Sequence, residues 1–252
     1  MKLQLLRNAT LKLTLGERTI LIDPFFAPKH SRPSIAGRSP NPLVDLPVST
    51  DQALDGVELV IVSHLHSDHF DPVAQGLVPK DLPIVCQPGD DTKTSSFGFE
   101  KVTPLHDNLV WRGVKLTRRK GRHGFGPDVE KMGPVMGFSV ELEGEPSLYW
   151  VGDTVLYPPV EETIRSTDPD IIVIHPSGAL WEGQPIAMDA EQAVTLGRIF
   201  SRPTIVATHL EALDHTTVSR DDLRHKLLAQ NIAAERFLIP HDGEVLTLGV
   251  PA

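Results

Sequence analysis

The run IVSHLHSDHFD at 61–71 follows the apolar, β-branched ELVIV and sets three histidines and two aspartates at the end of an expected strand. No other stretch constrains the chain as much, because it must fold so that one strand end can hold these side chains together. His64 and His66 are two apart, so in extended backbone they project to the same side. Asp68 and His69 follow at the turn into the next element, where a second pair of donors can be brought beside the first. Two nitrogens plus an oxygen–nitrogen pair suit zinc, or manganese and iron where more oxygen is supplied. The competing reading is a His-rich surface loop. The spacing H-x-H-x-D-H argues against it, since chance produces that pattern with a probability on the order of 10⁻³.

Around this run the chain reads as α/β. LQLL, TLKLTLG and RTILIDP form consecutive strands, with a turn at Gly16-Glu17. Further strands are expected at 58–63, 83–86, 114–119, 135–142, 147–151, 171–175, 203–207, 236–239 and 245–248. MDAEQAVTLGRIF predicts a helix capped by Asp189, with Gln192 at the box position. VSRDDLRHKLLAQ predicts another, capped by Ser219 with Asp222 three residues on. Shorter helices are expected after Asp71-Pro72 and after Pro158-Pro159. Strands interleaved with helices indicate layered sheets. No fixed-period repeat is visible. The proline- and serine-rich segment 24–50 has no sustained period and reads either as a lid or as a packed connection.

Bulk properties bound the function. The 252 residues suit one large domain, taken here as 1–252. No apolar run approaches the length of a membrane span. The opening MKLQLLRNATLKL is broken by charge and lacks a cleavage-site pattern, so residence in the cytoplasm is expected. The sole cysteine, Cys86, excludes an internal disulfide and reads as a core thiol. A net charge of −9 argues against broad nucleic-acid binding.

SHLHSDHFD resembles the H-x-H-x-D-H signature of the metallo-β-lactamase-fold hydrolases. The resemblance implies a four-layer αββα sandwich with two metals at the edge of its inner sheets. It also implies later ligands at strand ends: His123 in RRKGRHGFG, Asp153 in LYWVGDT and His209 in TIVATHLEALDH. His64, His66 and His123 would then hold one divalent cation and Asp68, His69 and His209 the other, with Asp153 between them. Zinc is the leading cofactor, with manganese or iron as alternatives. LIDPFFAPKHS, NPLVDLP, GDTVLY and IPHDGE resemble, more narrowly, a bacterial branch near the ascorbate-6-phosphate lactonases and the N-acylphosphatidylethanolamine phospholipase D group. In flavodiiron relatives the second signature position is usually Glu. His66 stands there in this chain, which favours hydrolysis over oxygen reduction.

The implied activity is attack by a metal-bridging hydroxide on a small ester, lactone or phosphodiester. The alternatives are a nuclease of the same fold and a non-catalytic metal-binding protein. Asp68 could also orient the nucleophile or relay its proton. His175, His215 and His241 are further catalytic candidates: His175 and His241 end apolar runs and His215 shares the loop of His209. His30, His106 and His225 read as solvated. Lys115, Arg118, Arg119, Lys120 and Arg122 gather just before His123. They form either a charged outer strand face, the preferred reading, or a site for an anionic substrate. The partners expected are a small molecule and, through segment 24–50, a second copy of the chain.

Overall fold

The computed structural model describes residues 1–126 and 129–251. The first half begins with β1 (Lys2–Arg7), β2 (Thr10–Leu15) and β3 (Arg18–Ile22), followed by α1 (Thr50–Leu54), β4 (Leu59–Val62) and α2 (Pro72–Leu77). β5 (Ile84–Cys86), α3 (Asp91–Ser96) and β6 (Val102–Pro104) complete it. The second half runs β7 (Asn108–Trp111), β8 (Val114–Lys120), α4 (Val129–Met132), β9 (Met136–Glu141), β10 (Leu148–Trp150), α5 (Pro158–Thr167) and β11 (Ile171–Ile174). A small hairpin, β12 (Leu180–Trp181) and β13 (Gln184–Pro185), precedes α6 (Ala190–Ile199), β14 (Thr204–Ala207), α7 (Arg220–Ala229) and β15 (Phe237–Leu238). The last strand, β16 (Val245–Thr247), returns to pair with β1.

Two seven-stranded sheets result, ordered β16-β1-β2-β3-β4-β5-β6 and β15-β14-β11-β10-β9-β8-β7. Both follow one plan. β16 to β3 are antiparallel neighbours and β3 to β6 parallel. β7 to β10 are likewise antiparallel, and β10, β11, β14 and β15 parallel.

Residue alternation sorts the layers. Leu11, Leu13 and Leu15 of β2 face the other sheet, where Leu116, Phe138 and Trp150 meet them in one core. The parallel strands LVIV and IIVI are buried on both faces, as unbroken apolar runs require. Leu59 and Ile61 point inward, while Val60 and Val62 meet Ala53 and Ala74 of α1 and α2. On the far side Ile172 and Ile174 meet α5, α6 and α7 through Val160, Ala193 and Leu223. The fold is the expected αββα sandwich.

The expected helix signals hold. Asp189 accepts from the Gln192 N–H, and Ser219 and Asp222 form a reciprocal capping box. Asp71 caps α2, with Pro72 at its first position. Helices α1, α3 and α4, strands β6 and β7 and the β12–β13 hairpin are additions; most are too short to carry a period. No helix among the described residues is long and apolar enough to cross a membrane.

Segment 24–50 holds no strand beyond an isolated Arg32–Asn41 bridge, and only its last residue enters a helix, α1. It is packed: Phe25, Phe26 and Ala27 are buried, and the Arg7 guanidinium donates to the carbonyls of Phe25, Ala27 and Val44.

Candidate metal centre

The carboxyl ends of the parallel strands in both sheets point to one edge of the sandwich, where crevices form in α/β architectures. β4 delivers Ser63 and His64, with His66, Asp68 and His69 in the turn that follows. β3 delivers Asp23, β10 Asp153, β11 His175 and β14 His209. Local backbone aims three of these side chains. Gly152 takes φ +76 just before Asp153, and a Cβ there would lie 3.0 Å from the Met136 carbonyl oxygen. His209 itself sits at φ 62 and Asp23 at φ 46, the left-handed region that side chains seldom adopt.

Seven side chains converge in two adjoining groups. His64, His66 and His123 form one and Asp68, His69, Asp153 and His209 the other, each with its donor atoms within 4.8 Å of one another. Asp153 joins them: its Oδ2 lies 3.2 Å from His69 Nε2, 3.6 Å from His123 Nε2 and 3.7 Å from His209 Nε2. Asp68 Oδ2 lies 3.2 Å from His209 Nε2.

Most of the histidines have one ring nitrogen engaged from behind. His69 Nδ1–H donates to Asp23 at 2.8 Å, and His123 Nδ1–H to the Ile186 carbonyl at 2.6 Å. His66 Nε2–H donates to the Met132 carbonyl at 2.9 Å. Ser63 Oγ gives its only proton to Asp23 at 2.6 Å, so His64 Nδ1–H must donate to Ser63 Oγ at 3.0 Å. In its neutral form each of these rings keeps one nitrogen for the centre. His64 Nε2 and both ring nitrogens of His209 are buried with no hydrogen-bond partner. One deprotonated ring nitrogen so placed on each residue fits a cation, and the N/O donor set fits zinc, manganese or iron.

The electrostatics agree. Burial alone would raise Asp68 and Asp153, yet both are held well below the usual carboxylate range, chiefly by His69 and His209. Burial lowers His64, His123 and His175. His69 and His209 are raised against their burial, because Asp153 and Asp68 favour their charged forms. Buried carboxylates thus draw protons onto two histidines, and a bound cation would replace them.

The remaining candidates separate. His175 is fully buried, and its Nδ1–H donates to Asp153 Oδ1 at 2.6 Å. His215 lines the cavity above the cluster, with Nδ1 buried and unpartnered. His241 is not brought to the cluster: it is exposed and closes a turn with Glu244. The two-residue β15 ends near the sheet margin, so an apolar run there leads outward. Two residues of the basic run face away. Lys115 pairs with Glu141, and Arg119 donates to Ser139 on the outer face of β8. Asp23 had no role in the sequence reading, although ILIDP ends an apolar strand in a carboxylate just as LYWVGD does.

A cavity of about 280 Å³ opens over the cluster, with Asp68, His123 and Asp153 in its floor and Ile35, Met132, Trp181 and Ile186 in its walls.

The profile of the β-lactamase superfamily domain matches residues 18–210. The chain belongs to the metallo-β-lactamase superfamily. Within that superfamily, the UPF0173 protein YddR of Bacillus subtilis is 35% identical over 98% of this chain and 100% of its own length. Two solved structures are similar throughout. A possible metal-dependent hydrolase from Veillonella parvula superposes with a TM-score of 0.94 at 35% identity, covering 98% of this chain and 99% of that one. An isothiocyanate hydrolase from Delia radicum gut bacteria superposes at 0.91 with 32% identity, covering 99% and 100%.

Proposed function

We propose that this superfamily member is a metal-dependent hydrolase acting on a small, uncharged electrophile such as an ester, a lactone or an isothiocyanate. The observation that carries the reading is the pair of adjoining donor groups joined through Asp153 at the floor of a cavity with apolar walls. His64, His66 and His123 would hold one divalent cation, and Asp68, His69 and His209 the second, with Asp153 between. When bound, such a pair acidifies a water towards a pKa of about 7 and polarises the bond under attack.

The chain's own groups do the rest. Asp23, Ser63 and the carbonyls of Met132 and Ile186 fix the protonation and direction of the imidazoles. His175 holds the second oxygen of Asp153. Asp68 and His215, both facing the cavity, are assigned to moving protons at the nucleophile and the leaving group. The apolar part of the wall, Ile35, Met132, Trp181 and Ile186, limits water beside the reacting atoms. His241 has no part in this reading.

Isothiocyanates enter because a relative similar over its whole length is an isothiocyanate hydrolase. Water adds across the C=N bond, and the resulting thiocarbamate breaks into an amine and carbonyl sulfide. A phosphodiester, as the phospholipase D likeness suggests, ranks lower because Lys115 and Arg119 of β8 face away from the cavity, and a nuclease ranks lower for the same reason.

The test is a panel of p-nitrophenyl acetate, a γ-lactone, benzyl isothiocyanate and bis-p-nitrophenyl phosphate. Zinc- and manganese-loaded wild type is compared with Asp68→Ala and His209→Ala. Turnover lost in both variants supports the reading. Equal turnover in all three, or none in any, overturns it in favour of a non-catalytic metal-binding role.

A further inference from the structure

Three cavities meet around the cluster, and Ile35 and Trp181 line all of them. Besides the one over the metal-type residues, a lobe of about 510 Å³ runs past Leu180, Arg38 and Glu182 and keeps His215 in its wall. Another of about 270 Å³ runs past Pro33 and Asn41 to Phe25 and keeps Ser67 and Asp68. A molecule reacting at the cluster and reaching into either outer lobe must therefore pass these two side chains.

Both are held by bonds to the site itself. Trp181 lies on β12, in a hairpin whose tip residues, Glu182 and Gly183, both take positive φ, as a tight two-residue turn demands. Leu180 N–H donates to the His215 carbonyl at 3.1 Å, and beyond β13 the Ile186 carbonyl receives the His123 Nδ1–H. Ile35 N–H donates to Asp214 at 2.9 Å. Lys131 pairs with Glu182 at 3.4 Å, while Arg38 and Arg32 each stand in an outer lobe, away from the cavity over the cluster. An indole and a branched aliphatic chain lining the same cavities offer apolar surface, which favours an aryl or alkyl group over a charged one.

We propose that Trp181 and Ile35 are the specificity-determining pair, gripping the apolar substituent of an uncharged substrate while its reacting group lies over Asp68 and Asp153. This rests on the hydrolase reading above. It makes the substrate class a small electrophile with an aryl or alkyl tail that extends into the lobe beside Leu180.

The test uses metal-chelating probes that differ only in tail, with Kd measured by calorimetry on the zinc-loaded protein. The probes are acetohydroxamate, phenylacetohydroxamate and succinate monohydroxamate. Wild type is expected to bind phenylacetohydroxamate about tenfold tighter than acetohydroxamate, equivalent to about 1.4 kcal/mol. Trp181→Ala and Ile35→Ala should each reduce that ratio to about threefold or less with acetohydroxamate affinity retained, while Trp181→Phe keeps most of it. An unchanged ratio in both alanine variants, or tightest binding by succinate monohydroxamate, overturns the proposal. Turnover missing from the whole substrate panel with the ratio retained overturns the activity alone. No hydroxamate binding at all overturns the metal centre and this pair together.

Discussion

Asp214→Asn isolates one carboxylate that organises the cavity wall. Asp214 is 4% exposed, and its two oxygens meet donors from a single stretch of segment 24–50. Oδ2 accepts from Ser34 Oγ at 2.5 Å and from the N–H groups of Ala36, Arg38 and Ser39 at 3.1, 3.1 and 3.3 Å. Oδ1 accepts from Ile35 N–H at 2.9 Å and Asn41 Nδ2 at 2.8 Å, and shares the Ala36 N–H with Oδ2 at 3.3 Å. An asparagine retains one acceptor and turns an NH₂ group towards the other set of donors. At Oδ1, the less occupied position, that still removes two hydrogen bonds to a charged group. Each is worth about 1.5–3 kcal/mol, so the local loss is about 3 kcal/mol. Amide hydrogen exchange across 35–39 reads this directly, and protection there should fall about a hundredfold, with the two sheets unaffected.

The pH dependence sharpens the same test. Burial alone would raise the Asp214 carboxyl, but Ser34, Asn41 and the loop N–H groups hold it well below the ordinary carboxylate range. Because the folded value is depressed, this stability is fully present above the unfolded value of about 3.9. It is lost as pH falls from there through the folded value. Wild-type protection at 35–39, corrected for intrinsic exchange, should decline below about pH 4, and that of Asp214→Asn should stay flat. Equal protection in the two proteins at pH 6, or parallel acid profiles, refutes the reasoning.

Asp23→Asn should weaken zinc binding about 10- to 100-fold, read by competition with a chromophoric chelator, because His69 loses the acceptor that fixes its tautomer. Zinc at about a hundred times its Kd should stabilise the fold by about 2.7 kcal/mol. Chelation should therefore lower Tm by roughly 5–10 °C in a chain of this size, and metal analysis of the loaded protein should give about two equivalents; fewer than one counts against the paired centre. Arg119→Gln should leave KM for bis-p-nitrophenyl phosphate unchanged wherever that ester is turned over, since the guanidinium lies on the outer face with Ser139; a marked rise in KM would restore the anionic-substrate reading.

Much of the centre was legible because its chemistry is local or sits at recognisable strand ends. His64, His66, Asp68 and His69 fall within one turn, and His123, Asp153 and His209 each close an apolar or alternating run. The same rule misled at His241, because a run ending at a sheet margin looks like one ending over the cluster. Periodicity also placed the basic residues of β8, whose alternation buries Val114 and Leu116 and turns Lys115 and Arg119 outward. Ile35 and Trp181 left no such signal. Ile35 lies in a stretch without a period and Trp181 in a two-residue strand, and tertiary hydrogen bonds together with the packing of Trp181 against Met132 and Ile186 bring them to the cavity. The common plan of the two sheets was equally hidden, since it resides in pairing order and not in a recurring residue pattern.

That common plan has a consequence for assembly. Corresponding strands β3 and β10 end in Asp23 and Asp153, one braced behind an imidazole and the other facing the cation positions. Since each sheet contributes only part of the proposed coordinating set, neither could hold the proposed cations by itself. Uptake of metal during refolding should therefore coincide with the docking of one sheet upon the other, which makes the ions a reporter, and a clasp, for the seam between them.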